Sequence, residues 1–217
     1  MTDQPLTGRP ATAGGRPQSA GGLDAPWGPP AAAPLIRAAR WPEDESRLGT
    51  LDTSFTSDRV YRVRRGPLSF ELVEETVTPP LRKSYGSLLD DVERLRGAAW
   101  VGVAEAQGSA EDGEQGALAG LASVTLSPWN RRAHLDDLFV APATRGRGVG
   151  RALVHAAAAF GRERGARCLW LETQDINLPA VDFYRRVGFR LCGLDERLYN
   201  PARHGRDEVA LFFALDL

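Results

Sequence analysis

The chain has 217 residues, a formal net charge of −1 and an isoelectric point near 6.3. This length suffices for one domain with a sizeable core plus an appendage, and the near-neutral charge argues against nucleic acid or a membrane surface as partner. The two cysteines form no CxxC pair or His/Cys cluster, so neither disulfides nor a metal site are predicted. No apolar run reaches the roughly 18 residues of a membrane span and no leader is visible, so we expect a cytoplasmic protein.

Residues 1–33 consist mainly of Gly, Ala, Pro, Ser and Thr. They hold too few large apolar side chains to offset the entropy of ordering, so this segment is predicted to be a disordered tail. The folded domain is predicted over residues 34–217. Within it, the polar and acidic stretch at 107–116 is predicted to be a mobile loop.

Alternating patterns in the domain predict strands, and helical spacing of apolar residues predicts helices. The first half contains a strand at 34–37, a helix from Pro42, a hairpin of strands at 59–64 and 69–73, a break at Pro79 and Pro80, a helix at 88–95, and paired strands at 98–104 and 117–126. The second half contains a central strand ending at Val140, a helix to about Arg164, a strand at 168–173, a helix at 178–186 capped by Asn177, and strands at 189–194 and 209–215. This order predicts an α/β fold with a mixed, mostly antiparallel sheet, a parallel pair in its middle and helices on both faces.

The most informative stretch is DDLFVAPATRGRGVGR at residues 136–151. A strand ends at Val140 and helical spacing begins at Val149, so the glycines between them lie at a helix N-terminus. There, unpaired backbone N–H groups and the helix dipole favour an anion such as a phosphate. The residues predicted to surround it are Arg145, Gly146, Arg147, Gly148, Val149, Gly150 and Arg151.

Four interpretations of this loop can be compared on its residues: a Walker loop, a dinucleotide-binding loop, an ordinary glycine-rich turn and an acetyl-CoA loop. A Walker loop is excluded because no Lys-Ser or Lys-Thr follows the glycines, and the arginine density fits the dinucleotide fingerprint poorly. An ordinary glycine-rich turn stays open. The pattern Arg145-x-x-Gly148-x-Gly150 after LFVAP instead resembles the acetyl-CoA pyrophosphate loop of the GNAT acetyltransferase superfamily, as does LWLETQDINLPAVDFYRRVGF downstream.

More narrowly, residues 35–217 resemble the streptothricin (nourseothricin) acetyltransferases in the segments LDTSFTSD, PPL, WNRR, LWLE, LCGLD and LY. The resemblance implies a GNAT fold and acetyl transfer from acetyl-CoA to a primary amine, in this subfamily the β-amino group of the β-lysine arm of streptothricin. It also implies that the strand end, Leu138, Phe139 and Val140, holds the cofactor, with the Val140 N–H polarising the thioester. Asn177 would bind the pantetheine arm and Tyr184 would protonate the departing thiolate, unless Tyr184 is simply a core tyrosine.

The acceptor amine must lose a proton before it attacks. Strand alternation places Asp137 on the face of Leu135 and Phe139, and Asp136 on the opposite face. We favour Asp137 over Asp136 and Glu172 as the proton acceptor, because burial among apolar residues raises the pKa of a carboxyl group. The alternatives are proton loss to water and a structural ion pair with Arg131 or Arg132.

A polycationic acceptor requires acidic groups and an aromatic wall. The candidate substrate-binding residues are Asp52, Asp58, Trp129, Glu172 and Tyr199. Helix caps, surface charge and core packing are their structural alternatives. Two other functions stay open: a GNAT enzyme acting on protein lysines, polyamines or aminoglycosides, and a non-catalytic acetyl-CoA sensor. The expected partner is a small cationic amine, and a homodimer is left open.

Overall fold

The structure, a computed structural model, describes residues 34–106, 117–204 and 207–217. The predicted disordered tail and the predicted mobile loop at 107–116 therefore lie outside the described residues. The strands are β1 Ile36–Ala38, β2 Phe55–Arg65, β3 Phe70–Lys83, β4 Trp100–Glu105, β5 Leu118–Ser127, β6 Arg132–Val140, β7 Cys168–Gln174, β8 Arg190–Asp195 and β9 Ala210–Asp216. The α-helices are α1 Glu45–Leu48, α2 Val92–Arg96, α3 Val149–Glu163, α4 Leu178–Arg186 and α5 Pro201–His204.

Seven strands form one sheet in the order β1-β4-β5-β6-β7-β9-β8, and β2 and β3 form a separate hairpin. Neighbouring strands in the large sheet run antiparallel, except that β6 and β7 are parallel and are joined by the α3 crossover. This confirms the predicted mixed sheet with a parallel pair in its middle.

Helices cover both faces of the large sheet, as predicted. On one face, α3 and α4 bury Leu153 and Val181 against Leu135 and Leu169. On the other face, the α1 and α2 region buries apolar side chains, including Leu95, against β4 and β5. Among the described residues, no helix is both long and apolar enough to cross a membrane.

The prediction that Pro79 and Pro80 break the hairpin is wrong, because β3 continues through them to Lys83. Ser57 pairs with Leu81 and Arg59 with Thr76, so residues 77–80 of β3 lie opposite Asp58 alone. A proline lacks the N–H that a regular ladder requires, and an irregular widening of this kind accommodates it.

The predicted alternation along β6 is also corrected by a bulge. Ser123 pairs with Asp137 and Val124 with Leu135, so Asp136 is an extra residue in β6. Leu135 consequently packs with the α3 and α4 core, whereas Phe139 packs with the core under α1 and α2. A bulge inserts one residue and reverses the side-chain order beyond it, which the sequence pattern does not show.

Candidate active site

A gap opens in the middle of the sheet between β6 and β7. The two strands pair only from Arg132 with Cys168 to His134 with Trp170. Beyond this point, β6 stays paired with β5 and β7 with β9, without further β6–β7 pairing. Backbone groups that face the gap have no strand partner, so an extended chain carrying amide groups can hydrogen-bond there. The predicted cofactor strand, residues 138–140, forms the β6 side of this gap.

The glycine-rich loop follows β6 at the open end of the gap. Gly146 and Gly148 have φ angles of 76° and 85°, a region in which a side chain would strain the backbone. Gly148 is the N-cap of α3 and supplies no capping side chain, so the first-turn N–H groups are left for a ligand. Arg147 is exposed beside them, and the buried Val149 anchors the helix start. This arrangement fits a diphosphate.

Two other loop residues have structural contacts that the sequence analysis did not predict. Arg145 donates hydrogen bonds from Nε to the Val140 carbonyl (3.0 Å) and from Nη2 to the Ser54 carbonyl (2.6 Å), so it braces the loop against β6 and the start of β2. A Cβ on Gly150 would lie 3.1 Å from the Phe183 ring, so this glycine permits close packing of α3 on α4. Arg151 lies half-buried on the first turn of α3.

Asn177 caps α4 as predicted: its Oδ1 accepts a hydrogen bond from the Ala180 N–H (3.3 Å). Its Nδ2 donates to the Tyr85 hydroxyl (3.5 Å). The Asn177 amide thus fixes both α4 and Tyr85 beside the gap. An amide nitrogen carries two hydrogens, so the bond to Tyr85 does not exclude the bond to the pantetheine arm, which stays a prediction.

Tyr184 lies on α4 and packs against Phe189 and Phe213, with a relative exposure of 8%. Burial raises the pKa of its hydroxyl, which therefore keeps its proton at neutral pH. Within the described part of the chain, this hydroxyl has no hydrogen-bond partner.

Asp137 is held by an arginine, although not by Arg131 or Arg132. Nη1 and Nη2 of Arg94 donate to its two carboxylate oxygens (2.8 and 3.0 Å), and the Ser123 hydroxyl donates to one of them. The carboxylate in turn raises the pKa of Arg94. The structural ion pair that the sequence left open is therefore present, with Arg94 in place of Arg131 or Arg132, and the role of Asp137 as proton acceptor stays a prediction.

One carboxylate and two aromatic rings contact the ammonium group of Lys83, and a second carboxylate lies nearby. Its Nζ is 2.5 Å from Glu208 Oε2 and lies 5.7 and 6.0 Å from the ring centroids of Tyr85 and Tyr199. Glu172 is close enough that this ammonium affects its pKa. We call Glu172, Glu208, Tyr85 and Tyr199 the ammonium cage. Carboxylates and aromatic faces are the groups that bind an ammonium ion.

A chain of hydrogen bonds runs from Asn177 to Glu172 of the cage, and each group in it donates to the next. Asn177 donates to the Tyr85 hydroxyl, which donates to Gln174 Oε1. Gln174 Nε2 donates to the Tyr199 hydroxyl (3.1 Å), which donates to Glu172. Burial raises the pKa of Glu172, while the Tyr199 hydroxyl and the Lys83 ammonium act against this rise. Glu172 is thus a partly buried carboxylate of raised pKa at the end of a hydrogen-bond chain, which are features of a candidate proton acceptor.

Tyr184 and Glu172 lie on opposite faces of the sheet. Tyr184 belongs to the core under α3 and α4, as does Leu171 of β7. Because successive side chains of a strand point to opposite faces, Glu172 and Gln174 project to the other face. A proton donor at Tyr184 and a proton acceptor at Glu172 would therefore act from opposite faces of the sheet.

The structure brings Glu172 and Tyr199 together but not the other predicted substrate residues. Asp52 is exposed and accepts a hydrogen bond from the Ser54 N–H (2.7 Å), and Asp58 is exposed beside Arg59. Trp129 is 87% exposed before the start of β6, about 26 Å along the strand from Val140. Among the described contacts, none links these three to the ammonium cage, so their role in acceptor binding stays a prediction.

The sequence patterns did not predict four residues that lie in or beside the ammonium cage: Lys83, Tyr85, Gln174 and Glu208. Alternation from Glu172 could have identified Gln174. The other three come from the end of β3 and the approach to β9, and their proximity has no local signature in the sequence.

Comparison with known proteins identifies the fold. Residues 70–189 match the acetyltransferase (GNAT) family. The chain belongs to this family. It is 42% identical over 184 residues to the streptothricin acetyltransferase of Streptomyces lavendulae, covering 83% of this chain and 93% of that protein. It is therefore an acetyl-CoA-dependent N-acetyltransferase, with the GNAT fold that the sequence resemblance implied.

Two solved structures have folds similar to that of this chain. The crystal structure of nourseothricin acetyltransferase matches with a TM-score of 0.72 and 41% identity, covering 85% of this chain and 99% of that one. A putative streptothricin acetyltransferase from Bacillus anthracis str. Ames, solved in complex with acetyl coenzyme A, matches with a TM-score of 0.67 and 24% identity, covering 84% and 97%. The latter shows a shared fold.

Proposed function

We propose that this GNAT enzyme acetylates a streptothricin-type antibiotic on the β-amino group of its β-lysine arm. The observation that carries the proposal is the 42% identity to a streptothricin acetyltransferase, which extends over 83% of this chain and 93% of the relative. A match of this extent includes the acceptor side of the fold as well as the cofactor loop that the whole family shares.

The chemistry of the ammonium cage supports a cationic acceptor. Glu172 and Glu208 supply negative charge, and Tyr85 and Tyr199 supply aromatic faces. A primary ammonium can interact with both kinds of group, through charge-assisted hydrogen bonds and through cation–π contacts. The cage lies on the β7 side of the gap, next to the place where an acetyl group would be presented.

We assign the cofactor to the gap and the glycine-rich loop. The first-turn N–H groups of α3 and the side chain of Arg147 would bind the diphosphate, and residues 138–140 would bind the pantetheine arm through their backbone. Acetyl-CoA supplies an acetyl thioester, whose carbonyl carbon the acceptor nitrogen attacks. The Val140 N–H would polarise the carbonyl oxygen.

Two side chains of the protein would move the protons. Glu172, rather than Asp137, takes the proton that the acceptor amine must lose, because burial raises its pKa and the hydrogen-bond chain ends on it. The Tyr184 hydroxyl donates its proton to the departing sulfur from the opposite face of the sheet. Because Tyr184 and Glu172 lie on opposite faces of the sheet, one residue would serve the sulfur and the other would serve the amine.

The test is a competition among amines. The purified enzyme is incubated with acetyl-CoA and equimolar streptothricin, lysine, spermidine, kanamycin and a lysine peptide, and the products are identified by mass spectrometry. We expect acetyl-streptothricin to be the main product, with the acetyl group on the β-lysine arm. The Tyr184→Phe variant should form little of it. Preferential acetylation of any other amine would overturn the substrate assignment, and release of no CoA with any amine would favour a non-catalytic sensor.

A further inference from the structure

We propose that Lys83 is a built-in occupant of the acceptor's ammonium site, which an acceptor cation must displace before it binds. This inference rests on the proposed function, since it takes the ammonium cage as the acceptor pocket. Lys83 is then a specificity-determining residue: it competes with monovalent amines and is displaced most readily by an acceptor that carries several positive charges.

The environment of Lys83 is that of a bound primary amine. Lys83 is the single lysine among the 27 basic residues of the chain. Its Nζ forms an ion pair of 2.5 Å with Glu208, whose side chain is 2% exposed, and lies within cation–π range of Tyr85 and Tyr199. An arginine cannot replace it there with the same fit, because a guanidinium is broad and planar.

The charge balance of the cage leaves room for a cation. Glu172 and Glu208 provide two carboxylates, and Lys83 provides one ammonium. A polycationic acceptor can therefore be attracted while Lys83 is still in place, and can then replace it. Without Lys83, the same carboxylates would attract any small amine more strongly.

Lys83 can also withdraw. It is the last residue of β3, and residues 84–87 after it are exposed. The Lys83 side chain is 18% exposed, and the neighbouring Tyr85 is an exposed residue, so the ammonium lies close to solvent. Rotation of a flexible four-carbon side chain would release the site without any movement of the sheet.

The first test is kinetic and uses Lys83→Met, which keeps the length and removes the charge. We expect the KM for spermidine or lysine to fall about fivefold or more, the KM for acetyl-CoA to stay constant, and the preference for streptothricin over these amines to narrow. The matched control is Arg82→Met, which removes one positive charge from the adjacent position, where the side chain contacts Ser54 instead. An unchanged or raised amine KM in a folded Lys83→Met variant would overturn the proposal.

The second test needs no variant, so it covers the case in which Lys83→Met fails to fold. Protein labelled with ¹³C-lysine has a single lysine, and its Cε and Hε resonances report on Lys83 alone. In the free enzyme, we expect these signals to be shifted by the two tyrosine rings. Streptothricin should move them to the position of an exposed lysine. If wild-type enzyme acetylates streptothricin and the signals do not move, the inference fails while the function stands. If streptothricin is not acetylated, the proposed function itself fails.

Discussion

Arg94 on α2 binds both carboxylate oxygens of Asp137 on β6, at 2.8 and 3.0 Å. The Asp137 side chain is 9% exposed, whereas that of Arg94 is 46% exposed. The pair thus fastens a short, solvent-facing helix to the bulged central strand, beside the gap. Its geometry marks Asp137 as a structural residue of the candidate site.

The variant Asp137→Asn is expected to lower the free energy of unfolding by about 1–3 kcal/mol, since the amide nitrogen that replaces one carboxylate oxygen cannot accept a hydrogen bond, while Arg94 still reaches water. The acidic limb of the kcat/KM profile should stay in place. Urea unfolding and a pH–rate profile measure the two effects. Asp91→Asn, which removes an exposed partner of the same arginine (3.1 Å), is the matched control and should change stability by less. Loss of the acidic limb in a variant of unchanged stability would restore Asp137 as the base.

The variant Tyr184→Phe is expected to reduce kcat about 100-fold or more and to leave the Kd for acetyl-CoA within about twofold, because the proton is required only as the sulfur departs. The hydroxyl has no hydrogen-bond partner within the described residues, so its removal should not lower the Tm. Tyr61→Phe, the same deletion on β2, serves as the control. Full turnover by the Tyr184 variant would show that this residue is only part of the core.

The variant Glu172→Gln tests the proposed proton acceptor. A base acts when ionised, so wild-type kcat/KM should rise with pH through the pKa of Glu172, which burial raises above the usual glutamate value of about 4.3. In the glutamine variant this limb should disappear and kcat should fall about 100-fold. Glu172→Asp keeps the carboxyl group and should retain the limb at reduced rate. An intact limb in Glu172→Gln would exclude the assignment.

Asp175 predicts a pH dependence of stability. This residue is 3% exposed, and burial raises its pKa to about 6, from a model-peptide value of 3.8. The folded state therefore holds the proton more tightly than the unfolded state, so ionisation of Asp175 destabilises the fold as the pH rises from about 4 to about 6. The total loss is on the order of 2–3 kcal/mol.

Asp175→Asn should flatten this part of the stability curve, and its amide oxygen can still accept the hydrogen bond from the Val209 N–H. Urea unfolding at half-unit pH steps measures the difference between the two curves. Asp216→Asn, an exposed position on β9, is the control and should leave the slope unchanged. A wild-type stability that rises between pH 4 and 6, with no change in slope in Asp175→Asn, would contradict the prediction.

Much of the fold follows from local sequence chemistry. Residues 178–186 form α4 with the predicted bounds and the predicted cap at Asn177, because apolar spacing and an N-cap side chain act within a few residues. The strand-helix-strand order around the glycine-rich loop likewise gives the parallel pair of β6 and β7. The loop's φ angles at Gly146 and Gly148 are those that glycine alone adopts without strain.

The predictions failed where a contact joins distant parts of the chain. The bulge at Asp136 depends on pairing with β5, and the widening at Pro79 and Pro80 depends on pairing with β2. Neither leaves a local pattern, because register is a property of two strands together.

Local residue patterns specify the order of the strands and helices and place the glycine-rich loop at a helix N-terminus, and the family resemblance rests on such local motifs too. The tertiary structure supplies the partners of the candidate acids: Asp137 is bound by an arginine 43 positions earlier, and Glu172 receives a hydrogen bond from Tyr199. It also brought Lys83 to Glu208 across 125 positions. The residue type determines whether a side chain can carry a charge. Its pKa and its partner depend on burial and on neighbours that only the folded chain supplies.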